Sequence, residues 1–214
     1  MITIIDYNAG NIGSVVNMLR YLGIPSCVAS DARAIAEAER LILPGVGHFD
    51  FGMGELIKRD LVGALRTQVL ERGVPILGIC LGAQLLTRGS AEGDREGLGF
   101  LAAETVAFDR SRMPANLRVP HIGWAETRAS ANCPLTSAET APSRFYYVHS
   151  YHLLCDDPTE AILHATHGYE FVAGFQKGSV FGVQFHPEKS HRYGMEVLRA
   201  YAGWSQQGRE AASR

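Results

Sequence analysis

Two short stretches, far apart in the chain, hold the residues whose types and spacing could do chemistry. In GICLGAQLL, Cys80 stands between Gly78 and Gly82 where an apolar run passes into a helical pattern. That spacing suits a nucleophile elbow: the glycines relieve crowding at a sharp strand-to-helix turn, and the side chain between them is held out at the carboxyl edge of a sheet. A helix beginning there aims free N–H groups and its positive dipole end at the sulfur, favouring thiolate, and the Leu81 N–H is placed to serve an oxyanion. In FGVQFHPEKS, Pro187 keeps His186 out of the helical region. Residues two apart in extended chain project to one side, so His186 and Glu188 can face the same site. A base oriented by a carboxylate beside a thiol is the division of labour of a catalytic triad. A buried structural cysteine and a lone packed histidine are the plainer readings of each stretch alone; the two stretches together point to nucleophilic catalysis.

The elements that must position these residues can be read from hydrophobic periodicity. ITIIDY reads as a strand, followed by a helix with Ile12, Val15, Val16, Leu19 and Leu22 on one face, closed by Gly23. A strand at CVAS, a helix through ARAIAEAE and a strand at RLILPG follow. The glycine-rich GVGHFDFGMG reads as a loop, residues 58–72 as a helix with Leu61, Leu65 and Val69 in register, and VPILGI as the strand that delivers Cys80. Strands alternating with helices imply a mostly parallel central sheet with helices on both faces, an α/β architecture. Beyond about residue 97, ETVAF, FYYVHSYHLL, FVAGFQ and VFGVQFH predict an antiparallel extension, and a last helix runs from about His191 to Trp204. We expect one domain spanning 1–214, with 206–214 a frayed tail.

Composition narrows the function classes. A net charge of −2 without blocks of like charge excludes a polyanion-binding surface, so no nucleic acid is expected. No apolar stretch is long enough to span a bilayer and the start lacks a basic leader, which implies no membrane and a cytoplasmic location. Cys27, Cys133 and Cys155 are spaced for neither zinc nor a disulfide framework and read as small apolar residues. His164 and His167 are three apart in a strand-like run and should face opposite ways, so no metal site is expected there. Gly10-Asn11-Ile12-Gly13 falls short of a dinucleotide fingerprint, and no cofactor is expected.

GICLGAQLL, LPGVG and FGVQFHPEKS resemble the signature segments of class I (triad) glutamine amidotransferases. Within that family the chain is similar, from DYNAGNIGSV through VPHIGW and FYYVHSY to HPEKS, to the glutaminase subunits of imidazole glycerol phosphate synthases. The resemblance implies the flavodoxin-like amidotransferase fold and glutamine as substrate, with Cys80 attacking the side-chain amide, His186 relaying protons and Glu188 orienting it. It implies an oxyanion hole from the N–H groups of Leu81 and Val46, the latter gated within Gly45-Val46-Gly47. It further implies substrate contacts from Gly45, Gly47, Gln84 and the backbone at His149, Ser150 and Tyr151. The ammonia acceptor would be another polypeptide, a (β/α)8-barrel cyclase subunit forming a heterodimer through Asn11, Trp124 and Lys189.

Three alternatives stay open on the sequence. Ala125 stands where the family's histidine-pathway subunits carry asparagine, and KSHRYGMEVL departs from their commonest form; both features resemble paralogues that supply ammonia for sugar amidination in surface-polysaccharide synthesis. A catalytically silent binding subunit would keep the fold while losing a triad member. A cysteine peptidase or hydrolase would also use an elbow.

Overall fold

Strand and helix alternate through the first half as the periodicity predicts. The computed structural model describes residues 1–136 and 142–205; the expected tail at 206–214 lies outside the described residues. β1 (Ile2–Ile5), α1 (Ile12–Tyr21), β2 (Ser26–Ala29), α2 (Ala32–Ala36), β3 (Leu41–Gly45), α3 (Phe49–Lys58), α4 (Leu61–Arg66), β4 (Ile76–Cys80) and α5 (Leu81–Leu85) follow in order. The second half comprises β5 (Ala103–Ala107), β6 (His121–Ala129), β7 (Ser143–His149), β8 (Tyr151–Cys155), β9 (Ala161–His167), β10 (Tyr169–Lys177), β11 (Val180–Val183) and α6 (His191–Gly203).

The eleven strands among the described residues belong to one sheet, in which β2-β1-β3-β4-β11 run parallel and β10-β9-β6-β7 continue antiparallel, with β8 joining β10 and β5 to it. Successive residues of the parallel strands enter opposite cores, as a strand buried on both faces requires. Ile5, Leu41, Leu43 and Ile76 pack with residues of α2, α3, α4 and α5, whereas Ile4, Ile42, Leu77 and Ile79 pack with those of α1 and α6. Helices therefore cover both faces.

Four expectations need correction. FDFGMG is the first turn and a half of α3, not loop: the His48 side chain accepts from the Asp50 N–H, and Gly52 sits where the helix lies against Leu81 and Leu85 of α5, a Cβ there coming within 3.2 Å of both side chains. The helix expected over 58–72 starts only at Leu61, after Asp60 in left-handed backbone, and closes with a wider turn through Glu71. FYYVHSYHLL is two strands broken at Ser150. VFGV, expected in the antiparallel extension, is the fifth parallel strand: β11 pairs parallel with β4 through Val183 and Ile79. That pairing sets the two stretches carrying the chemistry side by side.

Candidate active site

Cys80 is the last residue of β4 and the cap of α5, with φ 54° and ψ −112°, a conformation that costs a residue with a side chain roughly 1–3 kcal/mol. Tight packing enforces the turn. A Cβ on Gly82 would lie 1.8 Å from the Leu43 carbonyl oxygen, so only glycine lets α5 start this close to β3. The neighbouring parallel strand ends at the same edge, and Gln184 and His186 follow it directly.

His186 Nδ1 and Glu188 Oε1 are 2.7 Å apart, with both side chains 2% exposed. The same-side pairing holds, but not through extended chain: Pro187–Lys189 forms a tight turn that folds Glu188 back onto the imidazole. Ser190, buried and not anticipated from sequence, fixes this turn by donating to the His186 carbonyl (2.6 Å) and accepting from the Tyr146 N–H (3.0 Å). The second Glu188 oxygen has no partner among the described residues, so His186 is the carboxylate's principal counter-group. Burial lowers the imidazole's proton affinity, yet its interactions with Cys80 and Glu188 outweigh that and raise its pKa to about 9. The thiol itself is directed to the Val148 carbonyl (3.9 Å) and accepts from Gln184 Nε2 (3.8 Å). The thiol thus has the imidazole, the Val148 carbonyl and the Gln184 amide around it.

Cys80 and His186 open onto a cavity of about 570 Å³, lined also by Asn11, Val46, Gly47, Leu81, Gln84, His149, Ser150, Tyr151 and Lys189. Gly45 pairs with Cys80 in register, so the segment Gly45-Val46-Gly47 leaves β3 beside the nucleophile. The Val46 N–H points away from it, donating to the Ala9 carbonyl at 2.7 Å. Leu81, in the first turn of α5, has an N–H of the kind left without an intrahelical acceptor. Gln84 is buried, and its Nε2 donates to Gln184 Oε1 (3.1 Å) and the Tyr151 carbonyl (3.3 Å).

His149 lines the cavity, and both nitrogens of its ring are engaged by neighbours. Nδ1–H donates to the Tyr151 carbonyl (2.8 Å), leaving Nε2 to accept from His121 Nδ1 (3.1 Å). Burial, first of all, lowers the pKa of His149 to about 3 and that of His121 to about 4. Asn11 and Lys189 stand at the cavity, whereas Trp124 lies outside it, 41% exposed and stacked on His191. Ile122 and Val148, cross-strand partners on β6 and β7, are exposed beside it. His164 faces Glu170 while His167 stacks on His121, the opposite directions their spacing predicts.

Sequence reasoning missed Glu92, Gln184 and Ser190. Glu92 brings a carboxylate to the cavity, and it is held by the Phe49 N–H at 2.8 Å. Its position in an acidic loop after α5 was a weak signal. Of the other cysteines, Cys155 is pushed up to about 12 by burial and by the carboxylates of Glu160, Asp156 and Asp157, and Cys133 is raised by burial, so neither is a reactive thiolate.

A strained cysteine elbow beside a buried His–Glu pair, at the carboxyl edge of a doubly covered parallel sheet, defines an α/β enzyme with a cysteine nucleophile of the triad amidotransferase type. Residues 3–201 match the family described as "Glutamine amidotransferase class-I", and the chain belongs to it. Among its relatives are the "Imidazole glycerol phosphate synthase subunit HisH" of Moorella thermoacetica, 44% identical with 94% of this chain and 93% of that one covered, and the "Imidazole glycerol phosphate synthase subunit HisH 2" of Pseudomonas aeruginosa, 42% identical with 94% and 98% covered. Solved structures share the fold at lower identity: a glutamine amidotransferase (TM-score 0.73, 16% identity, 94% and 99% covered) and PurLQS from Thermotoga maritima (TM-score 0.70, 20% identity, 94% and 96% covered). Family membership sets the peptidase reading aside.

Proposed function

We propose that this chain is the glutaminase subunit of an imidazole glycerol phosphate synthase, a single amidotransferase domain that hydrolyses glutamine and hands the ammonia to a partner subunit in histidine biosynthesis. The observation that carries the reading is the placing of Cys80 beside the 2.7 Å His186–Glu188 pair on adjacent parallel strands, in a chain 41–44% identical to several HisH subunits. Cys80 Sγ attacks the substrate's side-chain carbonyl carbon while His186 takes the thiol proton. The oxyanion faces the Leu81 N–H, and the C–N bond breaks as His186 returns its proton to the leaving nitrogen, releasing ammonia. Water then attacks the glutamyl thioester with His186 as base, giving glutamate and the free thiol.

Substrate recognition follows from the lining. Glu92 pairs with the α-ammonium; the backbone at Ser150 and Tyr151, held by Gln84 and His149, takes the amino-acid end, and Gly45 and Gly47 flank the reacting amide. The complete Cys-His-Glu set favours an active enzyme over a silent subunit. Gating is the second element of the proposal. With the Val46 N–H committed to Ala9, the oxyanion hole has one donor, and a half turn of the Gly45–Val46 peptide would supply the second.

The partner is a (β/α)8-barrel subunit of the HisF type that makes imidazole glycerol phosphate and AICAR. It docks over Asn11 and Lys189 at the cavity mouth and over the exposed apolar face of Ile122, Trp124 and Val148. No helix among the described residues is long and apolar enough to cross a membrane. A cytoplasmic location is part of the proposal, supported by the biosynthetic role that the relatives' names carry. The relatives' names favour the histidine pathway over sugar amidination, and Ala125, which suggested the latter, packs against the core rather than lining the cavity. Mixing the chain with its cognate barrel subunit, glutamine and the phosphoribosyl acceptor should yield imidazole glycerol phosphate; turnover only with an activated sugar would instead establish the amidinating reading.

A further inference from the structure

The Tyr7 side chain is fully buried, and among the described residues its hydroxyl has no hydrogen-bond partner. Leaving such a group unpaired is costly, and a phenylalanine would fill the space without that cost. The hydroxyl lies against Gly45: a Cβ built there would stand 2.5 Å from it, which puts the oxygen within about 4 Å of the Gly45 α-carbon, given a bond of about 1.5 Å. Burial and the adjacent Cys80 both hold the phenol protonated, so it is available only as a neutral group with a hydrogen to donate.

The half turn of the Gly45–Val46 peptide carries a cost of its own. When the Val46 N–H swings toward the thiol, the Gly45 carbonyl oxygen swings the other way, toward the Ala9 carbonyl that had accepted the N–H. Two acceptors then face each other in a buried place, and the bond at 2.7 Å is lost. The unused hydroxyl beside Gly45 is the donor that can relieve this. We propose that Tyr7 is a positioning residue for the reaction, its hydroxyl receiving the Gly45 carbonyl in the turned peptide and so replacing the Ala9–Val46 bond with a Tyr7–Gly45 bond. The resting structure keeps a donor idle because the active arrangement uses it. This inference rests on the gated reading of the oxyanion hole.

Tyr7→Phe removes the hydroxyl and nothing else. In the heterodimer with the cognate barrel subunit saturated with the phosphoribosyl acceptor, the variant should lose about 3- to 10-fold in glutamine kcat, the worth of one neutral hydrogen bond, with KM within about twofold. Its thermal midpoint should be unchanged or higher, since an unpaired buried group has been deleted. A merely structural role predicts the reverse pattern, a lower midpoint with basal and stimulated rates falling together, and that result would overturn the proposal. So would a stimulated kcat equal to wild type. Failure of the gating reading itself shows separately, as a wild-type complex that the acceptor does not stimulate, and the Tyr7 proposal falls with it.

Discussion

Replacing Glu188 by glutamine tests the electrostatic core of the site, because it removes a charge while keeping an acceptor oxygen for the His186 Nδ1–H. The pair is 2.7 Å apart with both side chains 2% exposed, so solvent screens it little. Burial alone would lower the imidazole pKa below 6.5; Cys80 and Glu188 instead raise it to about 9. That rise corresponds to about 3 kcal/mol of preference for the imidazolium. If Glu188 supplies around half of it, the variant loses roughly 1.5 kcal/mol or somewhat more in every step that places a proton on His186, or about 10- to 100-fold in kcat/KM. NMR titration of ring-labelled histidine should find the His186 pKa lowered by at least about one unit. Stability should follow. A group whose folded pKa is raised contributes stability that is complete below about 6.5 and lost as pH climbs through about 9, so the alkaline loss should begin at lower pH in the variant. An unchanged His186 titration together with kcat/KM within twofold of wild type would refute the reasoning, and His186→Ala should cost more than Glu188→Gln, by several orders of magnitude.

Cys80→Gly should have a thermal midpoint at or above that of Cys80→Ala, against the usual penalty of about 0.5–1 kcal/mol for glycine, because φ 54° strains any residue with a Cβ; the usual order would mean the elbow is unstrained. Gly82→Ala should destabilise by about 2 kcal/mol or more, read from denaturant midpoints, since its methyl would lie 1.8 Å from the Leu43 carbonyl oxygen. His149 and His121 have folded pKa values lowered to about 3 and about 4, so the unfolded chain binds more protons from about pH 6.5 downward and stability should fall across that window. A His121→Asn variant should show a shallower fall in urea midpoint between pH 7 and 5; an identical slope would mean that these rings do not govern the acid loss.

The reactive stretches were legible because their constraints are local. Glycines around a cysteine at a strand end, and a proline after a histidine, restrict the backbone wherever the chain goes. The two-sided apolar strands ITII, LIL and PILGI likewise announced a covered parallel sheet. What was not legible depends on contacts between distant segments. β11 resembles the hairpin strands before it, and only its pairing with β4 makes it the scaffold of His186. Gly52 looks like a helix breaker until α5 lies against it. Glu92, Gln184 and Tyr7 carry no spacing signature: the first two become site residues by facing the cavity and the thiol, and the third by stopping short of any partner. The commitment of the Val46 N–H to Ala9 is a peptide orientation, which side-chain patterns do not encode.

Covalent trapping tests the nucleophilic role of Cys80 most directly. The assembled enzyme is treated with a glutamine analogue bearing an electrophile at the side-chain carbonyl position, then digested and mapped by mass spectrometry. One adduct per chain is expected, on the peptide containing Cys80, formed faster when the partner and its acceptor are present and prevented by excess glutamine. Labelling on Cys27, Cys133 or Cys155, or an activity that survives without modification of Cys80, would contradict that role.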